Sequence, residues 1–484
     1  MGAKVTKSKE KIYRKSEVES NWYKNKYYEL AYFAFNYLFT IFGLPTQENS
    51  ELIYQEDENE RDDSFDQDVE DLSLIIAPMK KHIFSFKCER KLDEVEKDIG
   101  KMIIEEFCQI SKHKYYKSGI QYNYGDNLSV ADNNYKYAVE SGICSWIVGE
   151  RIRGKNNKIG ELFRHLEMWS VKTYEGRKVT FGFLLNKKII KNDGFDYVSF
   201  VKDDYAATIT DCINSVVEID RNGKLIQYHS ITQNNKINGV EIDAKVPYRF
   251  AHVLKEYVNG DRIGIFLLNN GDLVISDDGA IRFVKRNLHW LNLSYEGFNR
   301  ALTDAEFDMP DELKKPIYGS MLDVSFSHTG GIIAVVEKIE ELKEPEDILA
   351  NVDDLKHPYD PGKEDEQISQ ELKSKKQNGK DIKKCISKRT VLKSLLDANS
   401  KDYRFDEIDR KLRAELIAMD GACIIEKNGI VHSFGAIIQN DSGSSGGGRG
   451  AACKKLSKYG MAIKISTDGY IEMYVRGKEI YVVK

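Results

Sequence analysis

Between residues 23 and 44, aromatic and aliphatic side chains recur at helical spacing, and Gly43 with Pro45 supplies a stop. The most apolar run, 30–44 (LAYFAFNYLFTIFGL), is shorter than the roughly 20 residues needed to cross a bilayer and contains Asn36. It predicts a buried helix, with a membrane-associated segment as the alternative. Residues 47–70 are acidic and turn-rich, the pattern of a solvated loop. Beyond them LSLIIAP and HIFSFK read as strands, and LDEVEKDIGKMIIEEFCQIS gathers its apolar positions on one helical face. VTFGFLL, GDRIGIFLL and GDLVISDDGAIRFVK read as strands or hairpins, and residues 169–182 (WSVKTYEGRKVTFG) as a hairpin whose aromatic and charged residues packing explains as well as a binding site would.

From Trp290 the pattern predicts a helix, followed by the apolar strand GIIAVVEKI (331–339). Residues 340–388 are dominated by Lys, Glu, Asp and Gln and cannot bury enough apolar surface to fold alone. Helices are expected over 390–399 and 405–418. The strand ACIIE and its partner over 430–438 flank Asn428-Gly429, a type I′ hairpin signal. A helix over 451–459 ends at Gly460, with Ala452, Leu456 and Tyr459 on one stripe, and MAIKIS and YIEMYV form a closing hairpin around Asp468-Gly469.

Together these patterns predict an α/β, multi-domain chain: a helical N-terminal region with an acidic loop (1–71), a central α/β domain (72–287), and a C-terminal mixed-sheet domain (288–484) carrying the charged insertion 340–388. A length of 484 residues agrees, because single cores rarely exceed roughly 250–300 residues. With 72 basic and 77 acidic residues the net charge is -5, so no whole-chain basic field recruits nucleic acid or anionic lipid. A small molecule or a protein is the expected partner, with no membrane. The seven cysteines are scattered, with no C-x-x-C or paired histidines, and read as reduced thiols of a cytoplasmic protein. The start, MGAKVTKSKEKIYRK, has no apolar signal core, and Lys7 stands where a myristoylation pattern needs Ser or Thr.

One segment carries candidate chemistry. Gly443-Ser444-Ser445-Gly446-Gly447-Gly448-Arg449-Gly450 runs directly into a helix. Free amides and the positive end of the dipole suit a phosphate there, and glycines let it approach the backbone. Arg449 strengthens the case, since a cation in a first turn is unfavourable unless an anion neutralises it. It is not a P-loop, because Arg-Gly follows where Lys-Ser/Thr is required. Upstream, Asp420-Gly421-Ala422 joins a helix to a strand, and Asp420 could hold a divalent cation or simply make a turn. A second Asp-Gly-Ala, Asp278-Gly279-Ala280, sits between two strand patterns and reads as a hairpin turn. His328 and His432 read as structural.

Asp-Gly-Ala after a helix, a hairpin, a glycine-led helix and a terminal hairpin together resemble the diadenylate cyclase domain, from about Trp290 to Lys484. That family has Gly-Thr-Arg-His-Arg then Ala-Ala as its second motif. Here Gly446-Gly447-Gly448-Arg449-Gly450-Ala451-Ala452 puts Arg449 at the histidine and glycine at both arginines. The resemblance implies condensation of two ATP to cyclic di-AMP with release of pyrophosphate. It implies Asp420 as catalytic ligand of Mg²⁺ or Mn²⁺, a homo-oligomer, and nucleotide contacts from Gly421, Ala422, Ser444, Ser445, Gly446, Gly447, Gly448, Arg449 and the strand-end Ser466. Loss of two guanidinium groups leaves open a nucleotide sensor without turnover, and another nucleotide in place of ATP. A scaffold whose glycine loop only packs is the third reading.

Overall fold

The structure, a computed structural model, describes residues 9–24, 26–45, 50–56, 73–79, 82–88, 90–112, 127–148, 158–189, 194–201, 206, 209–231, 245–343, 404–439 and 447–484. Most of the acidic stretch, the charged insertion beyond Lys343, the helix expected over 390–399, and Ser444, Ser445 and Gly446 lie outside the described residues. The chain mixes α and β, with two mixed sheets. Among the described residues no helix is long and apolar enough to cross a membrane. Internal contacts divide it into two compact units, one of Met1–Ile242, Arg249–Ala301 and Val482–Lys484, the other of Asp243–Tyr248 and Leu302–Tyr481.

The first unit begins with β1 (Lys9–Arg14) and α1 (Lys15–Asn21). The apolar stretch predicted as one buried helix is α2 (Lys26–Phe33), a π-helical turn (Ala34–Leu38) and α3 (Phe39–Ile41), with Leu30, Phe33, Phe35 and Leu38 buried. Inside the stretch expected to be loop, Glu51–Glu56 forms β2, and its Leu52 is fully buried. Three apolar residues among acids suffice, because β2 pairs on both sides, with β1 and with β4 (His82–Lys87), which in turn pairs with β3 (Ser73–Met79).

The long helix α4 (Glu94–Lys112) begins in a capping box. The Glu96 amide donates to Asp93 Oδ1 at 2.8 Å, and the Asp93 amide donates back to Glu96 Oε2 at 3.0 Å. Arg90 closes on the same Glu96 carboxylate at 2.8 and 2.9 Å. Ile99, Ile103 and Phe107 then recur every fourth residue on its buried face. After α5 (Asn127–Val148) and α6 (Lys158–Ser170), Trp169 is a buried residue of α6, and the hairpin expected over 169–182 shrinks to β5 (Thr173–Tyr174) and β6 (Arg177–Lys178).

The first unit's large sheet contains β7 (Phe181–Asn186), β8 (Ser215–Asp220), β9 (Leu225–Ser230), β10 (Arg262–Leu267), β11 (Leu273–Asp277), β12 (Ala280–Arg286) and β13 (His289–Asn292). Two helices, α7 (Tyr197–Phe200) and α8 (Ala251–Tyr257), lie between its strands in sequence. The order is β13-β12-β11-β10-β7-β8-β9, with β7 and β8 parallel. Phe183, Leu185, Val217, Ile219, Ile263 and Ile265 on one face join Ile103, Phe107, Leu162 and Phe163 in one core. Glu218 points from β8 to the other face. It is almost fully buried and accepts hydrogen bonds from Asn186 Nδ2 (3.1 Å), His229 Nε2 (2.8 Å) and Arg262 Nε (3.1 Å). Burial by itself would raise its pKa, but these three donors win and hold the carboxyl below its ordinary value. Trp290 belongs to β13, and the helix expected there begins at Tyr295 as α9 (Tyr295–Asp304).

The second unit opens with α10 (Asp311–Ser327), which sequence patterning missed. Pro316 inside it reads as a breaker, and residues 317–326 are buried all round, so no amphipathic stripe betrays the helix. Then follow β14 (Gly331–Val336), α11 (Glu340–Lys343), α12 (Arg410–Ile417), β15 (Ala422–Glu426), β16 (Val431–Ala436), α13 (Gly447–Leu456), β17 (Gly460–Ile465), β18 (Ile471–Val475) and β19 (Lys478–Val483). The sheet order is β16-β15-β14-β17-β18-β19, with β14 and β15 parallel. Helix α11 occupies the start of the stretch expected not to fold, because Leu342 finds a buried place in the core. Arg476 (φ 48°) and Gly477 (φ 80°) make the turn into β19, a strand beyond the expected closing hairpin.

Two arginines of α12 tie it to α10. Arg410 grips Asp323 through Nε at 2.6 Å and Nη2 at 3.0 Å, and the Tyr248 amide donates to the same carboxylate at 2.7 Å. Arg413 donates to Ser320 Oγ at 2.8 Å and to the Phe405 carbonyl at 2.7 Å, and its burial beside Arg410 pushes its pKa down to about 10. Replacing Asp323 by Asn removes the carboxylate charge that Arg410 grips in a largely buried site. Urea unfolding of Asp323→Asn is expected to show a loss of about 3–5 kcal/mol, the usual cost of removing one partner of a buried pair.

The Glu218 network gives a pH prediction. A depressed folded pKa means that the stabilisation is complete above the unfolded value, 4.5, and is lost as pH falls through the lower folded value. The stability difference between wild type and Glu218→Gln, from melts at a series of pH values, should therefore be present above pH 4.5 and shrink as pH falls below it.

Candidate functional site

The second unit brings several predicted site residues to one edge of its sheet. In the ladder, Ile332 pairs with Ala422 across the parallel β14–β15 junction, and Gly331 pairs with Ile465 across the antiparallel β14–β17 junction. Continued one or two residues toward the entry of β14, this register sets Asp420, Gly330 and Ser466 in one row across β15, β14 and β17. The guanidinium of Arg449, from the first turn of α13, reaches the same row. A Cβ placed on Gly330 would meet Arg449 Nη1 at 2.5 Å and the Ile465 carbonyl at 3.2 Å. The glycine-led helix and the Asp-Gly-Ala turn thus meet at the entry of β14.

Gly421 and Ala422 each have a distinct physical reason to be there. Gly421 has φ 107°, and a Cβ on it would lie 2.3 Å from the Gly435 carbonyl carbon. Both the conformation and the space demand glycine. Ala422 is fully buried beneath α13, among Ile332, Ala436, Ala452 and Leu456. Asp420 is exposed, so packing does not select it. In the other Asp-Gly-Ala, Asp278 (φ 50°) and Gly279 (φ 69°) form the two-residue turn between β11 and β12, as expected for a hairpin. The same three letters are two different backbones.

At the helix end, Gly447 takes φ 73° with open space around its missing side chain, so conformation selects it. Gly447 and Gly448 are exposed, while Arg449 is half-buried. Among the described residues the Arg449 guanidinium makes no hydrogen bond or ion pair, and it rests against Gly330. Gly450 differs from its neighbours. Its φ is ordinary, and a Cβ there would meet only Lys464 Nζ, at 3.9 Å. Lys464 itself is paired with Glu472 at 3.2 Å. Behind the helix end, Ala452 and Leu456 are buried and Tyr459 packs on the same core, which is the predicted stripe, and Cys453 is buried beside them. Gly460 begins β17, where a Cβ would strike the Val335 carbonyl at 2.2 Å.

Other candidates resolve into structure. Ser466 Oγ accepts from the Asp468 amide at 3.1 Å, closing the β17–β18 turn. His328 caps α10 in the left-handed region (φ 54°), and His432 lies 3.3 Å from Glu426 Oε2. At Asn428-Gly429 only Gly429 has positive φ (93°), and its amide donates to the Glu426 carbonyl at 2.8 Å. The turn is therefore a three-residue loop ending in a glycine bulge and not type I′. Sequence reasoning missed Gly330 and Gly435, whose bare backbones admit Arg449 and Gly421. The signal was present as Gly330-Gly331 directly before an apolar strand.

Among the described residues no group of three or more His, Cys, Asp or Glu could hold a metal ion. One exposed carboxylate, Asp420, fits only a cation that arrives with its other ligands, as Mg²⁺ does with substrate phosphates. No protein-family model matches this sequence, and no curated protein is significantly similar to it.

Two glycine substitutions separate conformation from space. Gly421→Ala should lower stability by about 2 kcal/mol or more, since strain at a disfavoured φ costs of order 1–3 kcal/mol before any clash. Gly450→Ala should instead raise it by about 0.5–1 kcal/mol, the helical preference of alanine over glycine. Thermal melts of both variants provide the check.

Proposed function

We propose that the second unit binds a nucleotide by its phosphates at the entry of β14, and that it condenses two ATP to cyclic di-AMP with release of pyrophosphate. The observation that supports this most is the convergence of Asp420 and Arg449 on one row, where Gly421 and Ala422 serve packing and the exposed Asp420 does not. An arginine with no protein anion among the described residues, beside a helix N-terminus, is the charge arrangement that a phosphate completes. In this reading Arg449 and the first amides of α13 hold and orient the phosphates, together with Ser444, Ser445 and Gly446. Mg²⁺ or Mn²⁺, brought by the nucleotide and held through Asp420, would neutralise phosphate charge and polarise the reacting phosphoryl group.

One site of this kind holds one ATP. Each 3′-hydroxyl must attack the α-phosphorus of the other nucleotide, forming two phosphodiester bonds and expelling two pyrophosphates. Two copies of the chain must therefore face each other, and the active species is a homo-oligomer. Glycine at both 448 and 450 favours a second reading, a nucleotide sensor without turnover. With the two arginines of the resembled motif absent, the phosphate grip loses charge-assisted hydrogen bonds that would strengthen as charge develops.

Incubating the pure protein with ATP and Mn²⁺ and separating products by chromatography decides between them. Cyclic dinucleotide supports the enzyme, and saturable ATP binding without product supports the sensor. Absence of any ATP-dependent rise in Tm rejects both and leaves a scaffold. For the enzyme, Asp420→Asn should abolish product while Tm is unchanged. Arg449→Ala should weaken ATP binding by about 1.5–3 kcal/mol, roughly ten- to 150-fold in Kd, because the helix amides remain. Asp278→Asn, in the hairpin turn of the other Asp-Gly-Ala, should change neither. Loss of activity in Asp278→Asn with Asp420→Asn fully active would put the active site in the wrong unit.

A further inference from the structure

We propose that Arg262 and His229 of the first unit form a binding site for a small oxyanion, a carboxylate or a phosphate, separate from the nucleotide site of the second unit. The two side chains come from β10 and β9 and converge on opposite oxygens of Glu218, Arg262 through Nε on Oε1 and His229 through Nε2 on Oε2. Glu218 is only 3% exposed and Asn186 supplies its third hydrogen bond, so the carboxylate is a fixed anchor with its accepting capacity engaged. What it anchors is not used up. Arg262 is about a third exposed, and among the described residues its two terminal nitrogens have no partner. His229 donates or accepts only through Nε2, which leaves Nδ1 as a second polar atom, and the Tyr257 ring packs edge-on against the imidazole at 5.3 Å.

Among the described residues the nearby acids do not satisfy Arg262. Asp277 is taken by Lys187 at 3.0 Å, and Asp261 by Lys188. Asp220, next on the same face of β8, has one carboxylate oxygen occupied by the Asn222 and Lys224 amides at 2.9 Å and is 1% exposed, closed to a ligand. A guanidinium held by its Nε presents its two terminal nitrogens as a fork, the geometry that matches two oxygens of a carboxylate or phosphate. The cluster also lies near the carboxyl ends of β7 and β8, the parallel pair of its sheet, where the crevices of open α/β sheets bind ligands.

The test reads the site directly by NMR of the full-length protein with labelled histidine. The His229 signal is identified as the one missing in His229→Gln. At constant ionic strength, inorganic phosphate and succinate are titrated separately, and a saturable shift of the His229 signal is expected with at least one of them. In Arg262→Gln the midpoint should move at least tenfold higher, and Arg262→Lys should fall between, since it keeps the charge and loses the fork. The probe with the lower midpoint identifies phosphate or carboxylate as the ligand chemistry. A linear, unsaturated drift with both probes overturns the proposal, as does a saturable shift with the same midpoint in Arg262→Gln. Because the signal is local to His229, phosphate held at α13 cannot imitate it.

Discussion

The second unit depends on how closely backbones crowd around β14. All six of its residues are buried, it runs parallel to β15 and antiparallel to β17, and its neighbours approach it where no side chain fits. Gly331 faces the Ile417 carbonyl at the end of α12, Gly460 faces the Val335 carbonyl, and Gly421 lies against Gly435 on the neighbouring pair. Each contact fixes a chain entry or exit to within a fraction of an ångström, because a Cβ in any of them would sit under 3.0 Å from backbone. The candidate site inherits that precision. Asp420 and Ser466 are placed by the register of three strands, and Arg449 is placed by the space that Gly330 leaves.

Beneath this edge, α10 and α12 supply a second constraint of a different kind. Arg410 and Arg413 bring two positive charges close together, and Asp323, Ser320 and the Phe405 carbonyl absorb them through hydrogen bonds. The end of α12 is thereby held in place three residues before Asp420, so that the aspartate leaves a rigid helix and not a loose loop. Positioning a reactive or binding group from fixed elements is what keeps its geometry within a narrow tolerance.

Much of the sheet architecture was legible because strands that are buried on one or both faces leave short apolar runs between turn residues. ACIIE, GIIAVV and GMAIKI are such runs, and α4 announced itself through its period. Legibility failed where burial was complete or where tertiary pairing overrode local composition. Helix α10 is buried on every side over residues 317–326 and carries Pro316, so neither period nor propensity marks it. Strand β2 has an acid at each end and exists because partners flank it on both sides. For the site, residue types were legible and their meeting was not. Nothing local in Gly330 says that an arginine from more than a hundred residues downstream rests on it.

The two sheets also differ in which strand end carries the proposed site, and connectivity explains the difference. In the first unit Asn186 and Glu218 lie toward the carboxyl ends of the parallel pair β7 and β8. In the second unit the Asp420 row lies at the amino ends of the parallel pair β14 and β15. That row is nevertheless the carboxyl end of β16, which pairs antiparallel to β15 and leads onward to α13. A helix that follows a strand offers its amino terminus near the end where that strand leaves the sheet, so free amides gather at the carboxyl end of the strand that feeds the helix. The direction of the feeding strand, and not that of the parallel pair, therefore decides which edge can hold a phosphate. An antiparallel β16 turns the ordinary rule for open sheets around without altering its physical cause.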